Sequence, residues 1–349
     1  MLKLRIKYFY KKTYRLLRRP FEWLLIGLAY LILPRLSYEA LLRVAHFIAT
    51  LVYRFDGRSR RIVHENLALM YPGRITPLRE KAITIKSFRN MAKVLLTLFW
   101  LSRDSRKRVQ SLMSIKNEDL DLIKSKVPMV LISAHLGNWE ISSQGLVAHG
   151  IPVISVAKKI GSSLMTKKLV KMRSAVGQKI IPVEGALRPL IRALRQGLNV
   201  GLVVDQHINP WEGGTWVDFF GVPASFTMTP ALLSRMCKVP VLFGWSRPLS
   251  SGKYSFQLGR LYTYDAKLSD QEKTVRMVGD VETIIRRHPS LWCLNYKLWR
   301  FITPGNDFSR YPAYARVIPE DILRVYANRQ QKKTPDNVDV CKVNSCVRA

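Results

Sequence analysis

The 349-residue chain carries 57 Lys plus Arg against 24 Asp plus Glu, a net charge of +33, and 48 % of its residues are hydrophobic. That apolar content excludes a disordered basic tail protein, because enough can be buried to offset the entropy of ordering, and the length suits one large domain or two modest ones. Cys237, Cys293, Cys341 and Cys346 form neither a CxxC pair nor a Cys/His cluster. A disulfide framework and a zinc site are therefore not expected, and a reducing compartment fits. The excess of positive charge points to an anionic partner: nucleic acid, anionic lipid headgroups or an acidic protein.

The N-terminus narrows that choice. Its first 19 residues hold eight basic side chains and no acid, interleaved with Tyr8, Phe9, Tyr10 and Tyr14. An apolar run follows from Phe21 to Leu33, broken only by Glu22 and closed by Pro34. From Leu36 to Tyr53, polar residues recur every three or four positions among apolar ones, which predicts an amphipathic helix. The run is shorter than the ~20 residues needed to span a bilayer upright. Two arrangements are compatible with it: a crossing helped by flanking aromatics and snorkelling arginines, or an anchor lying in the interface. No small-x-small site follows, as a cleaved signal peptide would require. Residues 1–55 are expected to attach the protein to an anionic membrane, each basic side chain adding about 1 kcal/mol near the surface. Arginines on both sides of the run leave the orientation open.

Residues 56–126 read as a mostly helical, basic region. From 127 to 328, short apolar runs alternate with helix-length stretches. Strands are predicted at Val127–Ser133, Pro152–Ala157, Lys179–Val183, Asn199–Asp205 and Val239–Ser246, and helices at 138–149, 161–176 and 186–197. This alternation predicts an α/β domain, with a mainly parallel sheet flanked by helices and an N-terminal membrane-anchoring helix. Residues 206–228 read as a long loop, 253–262 as an added strand and 269–287 as a long helix. The polar tail, 329–349, is predicted to lack order.

The most informative stretch is Ser133-Ala134-His135-Leu136-Gly137-Asn138-Trp139-Glu140. A buried strand ends at Ser133, and ligand sites in open α/β sheets lie outside the carboxyl ends of strands. His135 stands there, and Asn138 is a good N-cap for the helix that follows. Glu140 in the first helical turn is expected to fold back toward the imidazole and stabilise its protonated form. A histidine near a strand end also serves as a hydrogen-bonded structural residue, and an H-x4-E spacing occurs by chance. The chain has no GxSxG elbow, P-loop or GxGxxG motif, so a protein serine nucleophile and nucleotide binding have no support. A histidine that activates a substrate hydroxyl directly remains.

The hexapeptide resembles the HxGNWE block of the lipid A late acyltransferases, within the H-x4-D/E lysophospholipid acyltransferase superfamily. The similarity runs from the basic anchor to about residue 301. Other elements follow in that family's order: Arg173 before Gly177, the Pro182–Leu190 stretch, Asp205-Gln206 at a strand end, Asp218-Phe219-Phe220-Gly221, and Thr227 and Thr229 before Pro230-Ala231. Glu184-Gly185 is similar to part of the E-G-T-R block of glycerolipid acyltransferases. Near the C-terminus, Tyr296-Lys297 stand where the family usually carries paired arginines.

The resemblance implies a membrane-bound O-acyltransferase that needs no cofactor and no metal. His135 would take a proton from an acceptor hydroxyl, whose oxygen attacks an acyl thioester, while Glu140 steadies the charged ring. Asn138, the amides of the helix start or Arg173 would hold the developing oxyanion. Trp139, Lys158, Glu184, Arg188, Asp205 and Gln206 join Asn138 and Arg173 as expected substrate-binding residues. The implied partners are acyl carrier protein as donor, a glycolipid acceptor such as a lipid A precursor, and the cytoplasmic face of the inner membrane. Two other readings stand beside this one. A glycerophospholipid acceptor fits less well because Asn138-Trp139 follow Gly137. A non-catalytic basic protein bound to a membrane or to nucleic acid predicts a dispensable His135, and no nucleic-acid motif is present.

Overall fold

The computed structural model describes residues 20, 23–124, 127–159, 163–303, 305–320 and 322–324. The basic segment 1–19 and the polar tail 329–349 lie outside the described residues, as does the start of the apolar run.

A helix over 23–32 (α1) leads through a single 3-10 turn at Leu33–Arg35 into α2, Tyr38–Phe55. Pro34 ends the first helix, and the Ser37 side chain caps the second by accepting from the Ala40 amide at 3.1 Å. Then come α3 (Gly57–Met70), α4 (Pro77–Trp100), α5 (Ser105–Leu112) and α6 (Asn117–Ile123). Thr76 and Pro77 start α4 with a side-chain cap and a ring already set for the first helical position. Among the described residues no helix is long and apolar enough to cross a membrane, so the spanning arrangement finds no helix here.

A seven-stranded sheet forms the centre, in spatial order β1-β9-β8-β2-β5-β3-β4. Its strands are β1 (Met113–Ser114), β2 (Val130–Ser133), β3 (Val153–Ala157), β4 (Lys179–Pro182), β5 (Asn199–Val203), β8 (Val241–Pro248) and β9 (Tyr254–Tyr262). All neighbours pair in parallel except β8 with β9. The region read as helical thus contributes the edge strand β1. Helices α7 (Trp139–Ala148), α8 (Ser163–Arg173), α9 (Leu187–Arg195), α10 (Thr229–Cys237) and α11 (Asp270–Arg287) complete the layers.

The central strands are buried on both faces. Val130 and Ile132 of β2 join one core with α9, α10 and α11, while Met129 and Leu131 join a second core with α5 and α7. That is why β2 reads as an uninterrupted apolar run rather than an alternating one.

The stretch 206–228 is not a long loop. After a 3-10 turn at Pro210–Glu212, Gly214–Phe219 (β6) and Val222–Thr227 (β7) form an antiparallel hairpin with Phe219 opposite Val222. Its two-residue turn puts both Phe220 and Gly221 at positive φ, 55° and 79°. Such turns usually announce themselves by Asn-Gly or Asp-Gly. Here tertiary contacts hold a bulky residue in place instead. Phe220 is buried beneath the Arg286 guanidinium, and its amide donates to Glu282 Oε2 at 2.8 Å.

Candidate active site

From β2 the chain runs through α7 to β3 and β4, returns to β5 beside β2, and then crosses to β8 on the other side of β2. The carboxyl ends of β2 and β5 therefore lie where the direction of winding reverses, the crevice in which open α/β sheets place ligands.

Register builds the centre of the site. Ser133 pairs with Val203 in the parallel β2–β5 ladder. Two residues further along each strand, His135 and Asp205 come level. His135 Nδ1 lies 2.8 Å from Asp205 Oδ1, and the His135 amide donates to Oδ2 at 2.9 Å. The Trp292 indole N–H donates to the same oxygen at 2.8 Å. Burial would push the Asp205 carboxyl up, but the charge of His135 and the bonds from His135 and Trp292 outweigh it. The group rests below the usual carboxylate range. An ionised carboxylate only accepts, so Nδ1 carries the proton and the Nε2 lone pair is left to act as a base. Gln206 Nε2 lies 3.2 Å from that nitrogen. The Trp139 ring packs edge-on against the imidazole, centroids 4.9 Å apart.

The loop carrying His135 is held from three sides. The His135 carbonyl accepts from the Cys293 amide at 3.0 Å, and the Gly137 amide donates to the Leu291 carbonyl at 3.0 Å. Asn90 of α4 donates to the Gly137 carbonyl at 2.9 Å. Ser246 of β8 accepts from the Asn138 amide and donates to its carbonyl. Gly137 sits at φ 63°, and a Cβ there would lie 1.9 Å from the Ser246 carbonyl oxygen, so no other residue fits.

Glu140 does not fold back onto His135. It enters the first turn of α7 facing α8, where Arg173 Nε donates to its two oxygens at 3.1 and 2.9 Å and Nη2 adds a further bond. Burial lowers the pKa of Arg173, but its bonds to Glu140 outweigh that and raise it. Asp205, expected among the substrate contacts, occupies the place expected for Glu140. Of the groups expected at an oxyanion, Arg173 is held by Glu140, while Asn138 uses only its Oδ1, which accepts from the Ile141 amide as the α7 cap; its buried Nδ2 has no hydrogen-bond partner among the described residues. The Gly137 and Asn138 amides already donate to Leu291 and Ser246.

The remaining expected residues separate from this centre. Lys158 follows the end of β3, while Glu184 and Arg188 flank the start of α9, all three exposed. Beside Asp205, burial and the nearby negative charge push the Cys293 thiol up to about 12, which leaves it protonated and a poor nucleophile. Reading the sequence missed Trp292, Ser246 and Asn90 as parts of the site. Trp292 lies just before Tyr296-Lys297, but its bond to Asp205 spans 87 residues.

The model of the bacterial lipid A biosynthesis acyltransferase family matches residues 9–301. The chain is similar to the phosphatidylinositol mannoside acyltransferase of Mycobacterium tuberculosis, 28 % identical over 109 residues, covering 30 % of this chain and 34 % of the relative. The corresponding enzyme of Mycolicibacterium smegmatis is also 28 % identical, over 30 % of this chain and 35 % of its own length. These alignments span about a third of the mannoside acyltransferases. The lipid A biosynthesis lauroyltransferase of Escherichia coli is 25 % identical over 234 residues, 62 % of this chain and 72 % of that one.

Proposed function

Because the chain belongs to the bacterial lipid A biosynthesis acyltransferase family, we propose that it moves a fatty acyl chain from a thioester to a hydroxyl of a glycolipid, with His135 as general base. The hydrogen-bonded His135–Asp205 pair at the β2 and β5 ends is the observation that carries this reading. The acceptor hydroxyl displaces Gln206 from Nε2 and gives up its proton there. Its oxygen then attacks the thioester carbonyl carbon. As the tetrahedral intermediate collapses, the C–S bond breaks and the departing sulfur takes the proton from the imidazolium. Asp205 keeps the ring in the tautomer this requires and stabilises its charged form. Assistance of this kind contributes typically 10²–10⁴-fold.

The names of the relatives, lipid A and phosphatidylinositol mannoside enzymes, favour a glycolipid over a simple glycerophospholipid, and a lipid A precursor is the acceptor we assign. A net charge of +33 suits an acidic acyl carrier protein as donor, and Arg188, Arg192 and Arg195 lie exposed along α9. The chain would work on the cytoplasmic face of the inner membrane, where acyl thioesters are made. Leu24, Leu25, Leu28 and Leu31 of α1 and Phe47, Leu51 and Phe55 of α2 are exposed at helical spacing, which supports an anchor lying in the interface. A non-catalytic basic protein would have no use for a buried carboxylate aimed at a strand-end histidine.

Purified protein should transfer carrier-bound laurate or myristate to a lipid A precursor. Its KM for the carrier should rise with salt, as the Debye length falls from about 10 Å at 0.1 M to about 3 Å at 1 M. No product with a lipid A precursor or a phosphatidylinositol mannoside, from protein shown to be folded, would overturn the reading. A KM that ignores salt would remove the carrier protein from it.

A further inference from the structure

α2 and α4 pack side by side, and between them opens a cleft of about 580 Å³ lined by Leu42, Arg43, His46, Phe47, Thr50 and Lys93. Its basic groups lack counter-ions. Lys93 is half-buried, and burial together with Arg89, one helical turn back on α4, pulls its ammonium below the usual lysine value. The Arg89 Nε is itself buried with no hydrogen-bond partner among the described residues. Among those residues, Arg43, Arg89 and Lys93 make no ion pair. Glu39, the acidic residue nearest in sequence on α2, is exposed, and the Thr50 hydroxyl donates to the His46 carbonyl at 3.0 Å. Withdrawing cations from water without an anion is unfavourable, and a bound anion would relieve it.

The rim decides which anion. Phe47, which lines the cleft, is 63 % exposed, and Leu51, one helical turn further along α2, is 40 % exposed. A free inorganic ion would neutralise the basic floor and leave these side chains in water. An amphiphile satisfies both, its phosphate meeting the cations while its chains cover the apolar rim. We propose that this cleft binds the phosphate headgroup of an anionic membrane lipid, held by Lys93 and Arg43 and backed by Arg89. The proposal rests on the reading that the exposed α1–α2 face meets a membrane, and it adds a fixed lipid site to a diffuse attraction. A diffuse attraction depends on how much positive charge lies near the surface, whereas a site depends on which residue carries it.

The test uses the full chain in detergent, titrated with dioleoylphosphatidylglycerol or dioleoylphosphatidylcholine and followed by native mass spectrometry. Flotation with phosphatidylcholine vesicles runs in parallel. One phosphatidylglycerol should be retained in preference to phosphatidylcholine. Lys93→Gln and Arg43→Gln should each weaken its retention about tenfold, as losing one charge-assisted bond would. Arg54→Gln removes the same charge from α2 outside the cleft and should leave retention within about twofold, as a rim charge would. All four proteins should float equally. Arg43 and Arg54 are exposed, so their variants keep the test valid if Lys93→Gln perturbs packing. Equal retention by all four proteins would overturn the cleft as a site. Displacement of the lipid by an equal concentration of inorganic phosphate would show a free-anion site instead. Failure of every protein to float, with phosphatidylcholine vesicles and with ones containing phosphatidylglycerol, would overturn the membrane reading, an outcome distinct from unchanged retention in detergent.

Discussion

Two carboxylates stand close to the His135 loop, and they have taken opposite partners. At the strand ends, Asp205 is fully buried and faces the imidazole, a group that can act as a base. On α7, Glu140 faces a guanidinium that stays charged at every accessible pH. In the proposed function the first pairing serves proton transfer, while the second joins α7 to α8. Sequence distance does not decide which is which. Five residues along the chain, Glu140 has entered a helix and turned to α8. Seventy residues away, Asp205 is level with His135 because two parallel strands share a register. In this chain the carboxylate nearest the histidine in sequence is thus the one bonded across to α8.

The largest expected effect would break the catalytic half of that comparison. His135→Ala removes the base and deletes no core packing. Its kcat should fall about 10²–10⁴-fold while far-ultraviolet circular dichroism stays near wild type and the unfolding midpoint drops, because the buried Asp205 carboxylate loses its partner. A variant with unchanged kcat/KM on a verified acceptor would make the histidine structural.

Asp205→Asn should come next, with a loss of about 10²-fold in kcat and little change in KM. The amide keeps the size but loses the charge that fixes the Nδ1 proton and steadies the imidazolium. Stability carries a matching signature. The folded Asp205 carboxyl lies below its ordinary value of about 4, so its stabilising contribution is complete above that value. It is lost as pH falls through the lower folded pKa. Urea unfolding should therefore show a larger deficit for Asp205→Asn at pH 7 than at pH 3. A deficit that does not change with pH would mean that folding leaves the Asp205 carboxyl at its ordinary pKa.

The comparison also shows where reading the sequence stops. The βα alternation, the apolar β2 and a histidine beyond its end were legible, because burial on both faces and strand-end position leave local patterns. Cross-chain pairings leave none. Val203-Val204-Asp205 looks like any strand end until Ser133 is set opposite Val203, and Trp292 reaches Asp205 only after β8, β9 and α11 have been laid down. The β6–β7 hairpin was hidden for a related reason. Its turn residue is Phe220, whose positive φ is stabilised by Arg286 and Glu282 rather than by its own chemistry. The resemblance named Asp205-Gln206 among the expected substrate contacts, and the structure sets both beside His135, with Asp205 bonded to Nδ1 where Glu140 was expected.

Glu140→Gln has the smallest expected effect on turnover and sharpens the comparison most. The amide can accept from Arg173 through one oxygen only, and it leaves a mostly buried guanidinium without its counter-charge. Breaking such a pair from one side typically costs about 3–5 kcal/mol, and the lower end applies because the Arg173 side chain keeps 21 % of its exposure. Urea unfolding should show that loss, and adding Arg173→Gln should restore part of it, because the second change removes the stranded charge. Turnover per folded molecule should stay within a few-fold of wild type, since no atom of Glu140 bonds to His135. With His135→Ala added, the losses of activity and of stability should each be close to the sum of those of the two single changes, as independent sites give. If Glu140→Gln instead abolishes kcat under conditions where the protein is fully folded, and adding His135→Ala costs nothing more, then the two residues act as one catalytic unit. In that outcome the helix-clamping role assigned to Glu140 is wrong.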